Sequence, residues 1–160
     1  MTDTRIRAPR ATDLLREDHR RVRKLFDDYA KLRPDALSAR ERAFERIHQE
    51  LTIHAQIEEE IFYPAFEEDE AHEDLAALLE EAREAHEEVA DLLEELGELD
   101  PDDEAFDDKM RALRESVERH AEEEEREIFP YFHEIDEDAQ EDVAERLHER
   151  RAELAADEES

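Results

Sequence analysis

Two stretches of similar sequence, HAQIEEEIFYP at residues 54–64 and HAEEEEREIFP at residues 120–130, define the central feature of this chain. Each begins with a histidine and carries a glutamate four positions later and a proline ten positions later. Residues four positions apart lie on one face of an α-helix, so each histidine and its glutamate project together. The apolar residues of both stretches indicate that this face is buried. The pattern therefore places ionisable side chains where a helical protein keeps its core.

The surrounding sequence predicts four long amphipathic helices. Apolar residues recur at alternating steps of three and four, which is the period of a helical seam facing a core. The single glycine and the 47% of charged residues are also more typical of helices than of sheets. Four such helices with short connections predict an all-α fold, an up-down-up-down four-helix bundle. The predicted helices run from Thr12 to about Arg33, from Ser38 to about Phe66, over about 71–96, and from Asp100 to about Glu134.

Capping residues and a proline suggest where these helices start and bend. Thr12 is the predicted N-cap of the first helix, and Asp100 is that of the fourth. Ser38 with Glu41 forms a capping-box pattern at the start of the second helix. Pro64 is expected to bend the second helix near its end.

The chain divides into three predicted segments. Residues 1–10 are expected to form a flexible tail, and residues 11–135 form the four-helix bundle. Residues 136–160 form a short additional C-terminal helix and an acidic tail. Because acidic and arginine residues dominate this last helix, we expect it to be largely solvated and to pack peripherally.

Six polar residues interrupt the apolar seams of the four bundle helices. A buried carboxylate without a partner is costly. Two carboxylates beside four imidazoles in one core therefore need a shared explanation, and a metal centre provides one. The six candidate ligands are His19, His54, Glu58, His86, His120 and Glu124.

An internal repeat relates the two halves of the predicted bundle. His19 and His86 lie 67 positions apart, whereas the two His-x-x-x-Glu pairs lie 66 positions apart, as do the prolines that follow them. Each half supplies a helical hairpin with one histidine on its first helix and a His-x-x-x-Glu pair on its second. Two hairpins packed about a pseudo-twofold axis would bring two similar ligand sets together.

The residue types restrict the metal. The chain contains no cysteine, so disulfides, thiolate sites and cysteine nucleophiles are excluded. Imidazole with carboxylate suits iron, manganese or zinc. Two bridging glutamates with two histidines per metal would make a dinuclear site with open positions for a small ligand. The two carboxylates would also offset half of the charge of two divalent ions.

This constellation resembles the hemerythrin-like family, specifically its HHE cation-binding branch. The resemblance covers residues 12 to about 134. It implies a four-helix bundle with a non-haem di-iron centre, in which the carboxylates bridge two iron ions. It also implies chemistry with dioxygen, peroxide or nitric oxide. The matching segments are LLREDHRRVRKLF, HAQIEEEIFYP, REAHEEVADLL and HAEEEEREIFP.

Two departures separate the chain from oxygen-carrying hemerythrins. Those proteins have a further histidine four residues from the third-helix histidine, whereas alanine stands on both sides of His86 at that spacing. Their fourth helix uses a carboxylate five residues after its histidine, which here is Glu125. Helical phase instead favours Glu124, because Glu125 points about 140° away from His120 on an ideal helix. Sensing, peroxide handling and iron storage are therefore open alternatives to oxygen carriage.

The net charge of −31, from 53 acidic and 22 basic residues, bears on partners. Such a surface repels phosphate, so we expect neither nucleic acid nor a membrane as partner. The first ten residues lack the apolar core of a signal peptide, and no segment is apolar enough to cross a bilayer. These features predict a soluble cytoplasmic protein. The abundance of acids with only three lysines resembles proteins of extreme halophiles.

Other polar and aromatic residues have simpler interpretations. Two Glu-x-x-His pairs, ERIH at 45–48 and ERLH at 145–148, match ferritin-like sites but fall off the best apolar seams. Tyr29 and Tyr63 either pack in the core or donate hydrogen bonds near the centre. The histidines outside the repeat are expected at the surface: His48, His72, His133 and His148.

Three functional hypotheses follow. The first is a metal-binding protein whose di-iron centre binds or senses dioxygen, peroxide or nitric oxide, or binds iron itself. The second is an enzyme that uses the same centre on peroxide or nitric oxide. The third is an acidic helical interaction module without metal. The sequence shows no general acid or base beyond the ligands, so it does not separate the first two.

Overall fold

The computed structural model describes residues 10–67 and 72–159, excluding the side chains of 158 and 159. These residues contain no β-strand, which confirms the predicted all-α class. Most of the tail predicted at residues 1–10 lies outside the described residues. The α-helices are α1 Ala11–Ala30, α2 Leu37–Ile57, α3 Glu73–Gly97, α4 Glu104–Glu123, α5 Phe129–Phe132 and α6 Glu137–Glu159.

Helices α1 to α4 form the four-helix bundle. α1 packs on α2 and α3 packs on α4, while contacts of α1 with α4 and of α2 with α3 close the bundle. Residues 31–36 connect α1 to α2, and residues 98–103 connect α3 to α4. Connections this short join antiparallel neighbours. The buried positions of α3 include Leu79, Ala82, His86, Val89 and Leu93, which is the predicted three-and-four pattern. Within the described parts of the chain, no helix is long and apolar enough to span a membrane.

The predicted helix caps differ from those in the structure. α1 begins one residue before Thr12, which is buried with its hydroxyl oxygen 2.7 Å from Nε2 of His133. The predicted capping box at Ser38 does not form, because α2 begins at residue 37 without a side-chain cap. In both cases the residue predicted to cap the helix already lies inside its first turn.

The fourth bundle helix starts later than predicted. Its N-cap is Asp103, whose carboxylate accepts a hydrogen bond of 3.0 Å from the amide of Ala105, so Asp100 lies in the preceding loop. The later start shortens the helix before His120 by three residues, or about 4.5 Å at about 1.5 Å per residue. This shortening helps to bring His120 level with His86, whose ring centroid lies 4.8 Å from that of His120.

Regular α-helix stops at the same place in both halves. α2 and α4 each continue into a single π-helical turn, formed by Glu58–Phe62 and by Glu124–Ile128. In these turns the amide of Tyr63 donates to the carbonyl of Glu58, and the amide of Phe129 donates to that of Glu124. Both π turns therefore start at the glutamates that the sequence marks as candidate ligands.

The prolines provide the physical reason for these π turns. Pro64 and Pro130 have no amide hydrogen, and a proline ring in a regular helix clashes with the carbonyl four residues earlier. A wider turn before each proline relieves that clash at the loss of one regular hydrogen bond. The irregularity expected at Pro64 thus begins six residues before it, at Glu58.

Helix α6 packs against α1 and α2 on the outside of the bundle. Most of its residues are exposed, but Val143, Ala144 and Leu147 are buried in the core. Arg151 lies 3.1 Å from Asp18 on α1, and Arg150 lies 3.0 Å from Glu60 after α2. α6 therefore contributes more buried residues and ion pairs to the bundle than its charged composition predicts.

The core consists of two apolar clusters with a polar layer between them. One cluster surrounds the π turns and includes Phe62, Phe129 and Phe132. The other fills the opposite half of the bundle and includes Phe26 and Phe106. The six candidate ligands interrupt each helix between these clusters, so the apolar packing on both sides holds them at one level.

Candidate metal centre

The six candidate ligands converge in this polar layer. Each bundle helix supplies one histidine, and the two π turns supply the glutamates. The four histidines are 6–8% exposed, and the two glutamates are fully buried. The side chains form two groups in which one potential ligand atom per residue lies within 4.8 Å of the others. The groups are His19, His54 and Glu124, and Glu58, His86 and His120.

Each triad combines residues from both hairpins. The histidines of the first hairpin meet Glu124 from the second, while the histidines of the second meet Glu58 from the first. The ring centroids of His19 and His54 lie 4.9 Å apart, and those of His86 and His120 lie 4.8 Å apart. The similar distances within the two histidine pairs agree with the pseudo-twofold relation expected from the repeat. The exchange of glutamates between hairpins, in contrast, is a feature of the tertiary structure.

Both glutamates also reach across to the other triad. Glu58 Oε1 lies 3.1 Å from Nε2 of His54 and 3.1 Å from Nε2 of His86. Glu124 Oε1 lies 3.2 Å from Nε2 of His19, and its Oε2 lies 3.4 Å from Nε2 of His120. Each carboxylate is therefore placed between one histidine of either triad, as a bridging ligand would be.

The donor atoms are poorly satisfied by one another. Of the eight buried side-chain nitrogen and oxygen atoms without a hydrogen-bond partner in the described part of the chain, seven belong to these six residues. They include Nε2 of His19 and Oε1 of Glu124, which are close but misaligned for a hydrogen bond. Two ligand atoms about 2.1 Å from one ion lie about 3.0–3.4 Å apart at octahedral or tetrahedral angles. Four carboxylate–imidazole separations, of 3.1–3.4 Å, fit or nearly fit this requirement, whereas His120 and Glu58 are slightly farther apart at 3.8 Å.

In the metal-free centre, the carboxylates and the imidazoles shift one another's pKa values. Burial alone would lower the pKa of every histidine in the centre, but the neighbouring carboxylates outweigh it and raise all four. The pKa of His120 rises to about 10 in this way, chiefly through Glu124. Burial would raise the pKa of Glu58, but the charge of His54 and hydrogen bonds hold it well below its usual range. Without metal, protons on the imidazoles therefore neutralise the carboxylates.

A second set of carboxylates lies behind the histidines. Nδ1 of His54 donates to Oδ2 of Asp18 over 2.9 Å. Nδ1 of His86 lies 3.4 Å from Glu59, and Nδ1 of His19 lies 3.6 Å from Glu125. The structure thus places Glu124 inside the centre and Glu125 outside it. Such outer carboxylates orient imidazole ligands and raise their basicity.

Sequence reasoning missed these outer residues. Glu59 and Glu125 each follow a candidate ligand glutamate and lie in the π turns, which an ideal helix does not contain. Asp18 carries a weak signal, since it lies three residues after Leu15 and four before Val22, at the edge of the buried seam. Its partner Arg151 comes from α6, and no local pattern connects the two.

Tyr63 is a hydrogen-bond donor to the centre. Its hydroxyl donates to Oε2 of Glu124 over 2.6 Å and lies 3.4 Å from Oε1 of Glu58. Burial and the two nearby carboxylates raise the pKa of Tyr63 well above its ordinary value, so the phenol keeps its proton. The second possible donor, Tyr29, lies in the other apolar cluster and donates to Asp107 instead.

Replacing Tyr63 by phenylalanine is expected to destabilise the metal-free protein by about 1.5–3 kcal/mol, the usual worth of a hydrogen bond to a charged group. The ring should fit, because Phe129 occupies the repeat-related position. The free energy of unfolding, measured with urea in molar salt, checks this. Tyr131→Phe in the same cluster is the control and should change stability by less than about 1 kcal/mol. Equal effects of the two variants would contradict the role assigned to Tyr63.

A small cavity lies on the histidine side of the centre. Its volume is about 40 Å³, enough for a diatomic molecule or one or two waters. All four histidines line it, whereas neither of the candidate ligands Glu58 and Glu124 does. The rest of the lining is mainly apolar and includes Val22, Leu51, Val89 and Val117.

The remaining histidines lie away from the centre. His48 and His148 are exposed, as are Glu45 and Glu145, so neither Glu-x-x-His pair faces the core. His72 and His133 are half-buried rather than fully at the surface. His72 lies 2.7 Å from Glu134, and His133 contacts the first turn of α1.

Comparisons with known proteins agree with this architecture. Residues 10–132 match the family model described as the hemerythrin HHE cation binding domain. The structure is similar to a crystal structure of a hemerythrin HHE cation binding domain-containing protein from Mycobacterium kansasii. The TM-score is 0.80 and the sequence identity 24%, over 92% of this chain and 88% of that chain. No curated protein matches the chain.

Proposed function

Because the chain belongs to the hemerythrin HHE cation-binding family, we propose that its cation-binding centre holds two iron ions and binds or senses a small oxidant or diatomic gas. The observation that carries the proposal is the pair of buried His–His–Glu triads joined by two glutamates. His19, His54 and Glu124 would hold one ion, and Glu58, His86 and His120 would hold the other. Manganese or zinc would find suitable ligands in the same residues.

Charge supports two ions rather than one. A buried carboxylate needs a compensating charge, and the centre contains two carboxylates and four imidazoles with raised pKa values. Two divalent ions would replace the protons on the imidazoles. Each carboxylate lies between histidines of both triads, so a single ion would leave one triad uncompensated.

The position and the volume of the cavity favour a function in which the centre binds a small ligand. Bound iron would supply open coordination positions and a change of oxidation state. The cavity brings a ligand to the histidine side, while Tyr63 and both glutamates lie on the other side. Its apolar walls and volume of about 40 Å³ suit dioxygen or nitric oxide and exclude larger substrates.

An enzyme acting on peroxide is the second candidate function. The cavity lining also includes the polar residues Asp18, Arg23 and Glu118. Peroxide, unlike dioxygen, both donates and accepts hydrogen bonds, so these groups favour it. Catalysis would distinguish this candidate from reversible binding.

The test is metal content together with an ultraviolet–visible spectrum of untagged protein purified in molar salt. We expect two irons per chain and charge-transfer absorption in the near ultraviolet. That absorption should change on adding dioxygen or nitric oxide to the reduced protein. Continuous oxygen evolution from hydrogen peroxide, lost in His86→Ala, would favour the enzyme. Protein that takes up no iron after anaerobic loading would overturn both and favour a metal-free interaction module.

The acidic surface supports a working environment of concentrated salt. Repulsion among charges that sum to −31 is screened within about 3 Å at about 1 M salt. We therefore propose that the protein works in a cytoplasm rich in salt and that it binds neither nucleic acid nor anionic membranes.

A further inference from the structure

The repeat extends beyond the six ligands. Arg16 lies 5.2 Å above the ring of Phe129, and Arg83 lies 5.7 Å above that of Tyr63. Phe129 in turn stacks on His19, and Tyr63 stacks on His86. The matched pairs in the two halves are Arg16 and Arg83, His19 and His86, Glu59 and Glu125, and Tyr63 and Phe129.

The symmetry breaks at Asp18. The repeat-related position is Ala85, as the segments EDH and EAH show. The carboxylate of Asp18 is therefore present behind His54, and alanine cannot supply one behind His120. Because Glu59 and Glu125 stand behind the other two histidines in both halves, their contributions are similar and do not distinguish the triads.

From this asymmetry we propose that Asp18 is a positioning residue that makes the triad of His19, His54 and Glu124 the tighter of the two metal positions. The inference rests on the proposed function, that is, on a centre with two ions. Asp18 accepts a hydrogen bond from Nδ1 of His54, which leaves Nε2 unprotonated and directed into the centre when metal binds.

Asp18 is itself fixed in place. Its Oδ1 lies 2.7 Å from Arg21 and 3.1 Å from Arg151, while its other oxygen faces His54. The side chain is 5% exposed, so solvent does not compete for it. Since Arg151 belongs to α6, the additional helix is part of what positions this ligand.

The second break in symmetry acts in the same direction. Tyr63 donates its shorter hydrogen bond, of 2.6 Å, to Oε2 of Glu124, the oxygen that faces His120. Its longer contact of 3.4 Å is with Oε1 of Glu58, which lies equally near His54 and His86 and so does not distinguish the triads. A hydrogen bond to a ligand oxygen reduces the electron density that the oxygen offers to an ion. Phe129 at the related position cannot weaken the triad of His19 in this way.

The experiment is an anaerobic titration of the metal-free protein with Co²⁺, followed by calorimetry and visible absorption. The wild type should bind in two steps of different affinity. His86→Ala should retain the tight step, and His19→Ala should retain the weak one. Asp18→Asn and Asp18→Ala should weaken the tight step, the latter by about 10–100-fold, as expected for an outer carboxylate of a metal-bound histidine.

Glu50→Gln is the matched control. Glu50 lies 2.6 Å from Arg151 and 3.6 Å from Arg21, so the variant removes a carboxylate from the same arginine cluster without touching His54. We expect its tight step to remain within about threefold of the wild type, or about 0.7 kcal/mol, because the glutamine oxygen can still accept hydrogen bonds from the arginines and His54 keeps its carboxylate partner. Circular dichroism establishes that each variant is folded before titration.

The outcomes separate the possible failures. If the wild type binds no Co²⁺, both the proposed metal centre and this inference are overturned. Two wild-type steps with both unchanged in the Asp18 variants overturn the role of Asp18 and leave the centre intact. Equal weakening of both steps, or the same loss in Glu50→Gln, shows a general structural effect and also overturns the inference.

Discussion

Replacing Glu124 by alanine is expected to remove stoichiometric metal from both positions. Glu124 lies 3.2 Å from His19 in one triad and 3.4 Å from His120 in the other, so each of the two proposed ions would lose a ligand. Loss of an outer-shell partner alone weakens metal binding by about 10–100-fold, and we expect this loss to exceed about 100-fold at both positions. Metal analysis of protein purified with excess iron and then desalted is the measurement.

Two further variants make this result interpretable. Glu124→Gln keeps the size of the buried side chain and removes its charge, so metal loss in this variant is not a packing effect. Glu122→Ala, on the exposed face of the same helix, is the control and should retain the full metal content. Two irons per chain in Glu124→Gln would contradict the bridging role of Glu124.

The second large effect is a change in how stability depends on pH when metal is removed. In the metal-free protein the pKa of His120 is raised to about 10, and that of His54 also lies well above its ordinary value. Groups whose pKa is higher in the folded state stabilise the fold fully below their unfolded pKa of about 6.5. This stabilisation is lost as the pH rises toward 10, so the metal-free protein should become less stable over this range.

The stabilisation that bound metal adds should follow the opposite trend. Metal binding must displace protons from the imidazoles, so affinity should rise by up to about tenfold per pH unit for each proton released. Metal at about 100 times its dissociation constant adds about 2.7 kcal/mol per site, which for this length corresponds to about 5–10 °C in Tm. The gain in Tm on loading should therefore grow from pH 6.5 to pH 9.

Thermal unfolding followed by circular dichroism in molar salt, with and without metal, tests this prediction. Calorimetry in buffers of different ionisation enthalpy counts the protons released. In His120→Ala the metal-free protein should lose stability less steeply with pH. A melting point that is the same with and without metal across this range would favour the metal-free module instead.

At the acid end Glu58 dominates the behaviour of the centre. Its pKa is held well below the ordinary value, so its contribution is present above about pH 4.5 and is lost as the pH falls further. The metal-free centre is thus most stable between the ranges in which Glu58 gains and the histidines lose their protons. Metal extends this window upward, because it replaces the protons that the histidines lose.

Much of the fold was predictable from the sequence because it depends on local periodicity. The three-and-four spacing of apolar residues identified the four bundle helices, and the same spacing placed His19, His54, Glu58, His86, His120 and Glu124 on the buried seams. The 66- and 67-residue shifts indicated two related hairpins. The caps predicted at Thr12, Ser38 and Asp100 were wrong, because α1 and α2 start without a hydrogen bond from a capping side chain and the nearby Asp103 caps α4 instead.

Only the tertiary structure decided which residues meet. It exchanges the glutamates between hairpins, so that Glu124 joins His19 and Glu58 joins His86. It places Asp18 behind His54 and brings Arg151 to Asp18 from a helix that starts more than a hundred residues later. The physical reason is that periodicity specifies the buried face of one helix, whereas a contact between helices depends on their relative level, rotation and π turns. The sequence by itself therefore determined the ligand types and their seams, and packing determined the centre they form.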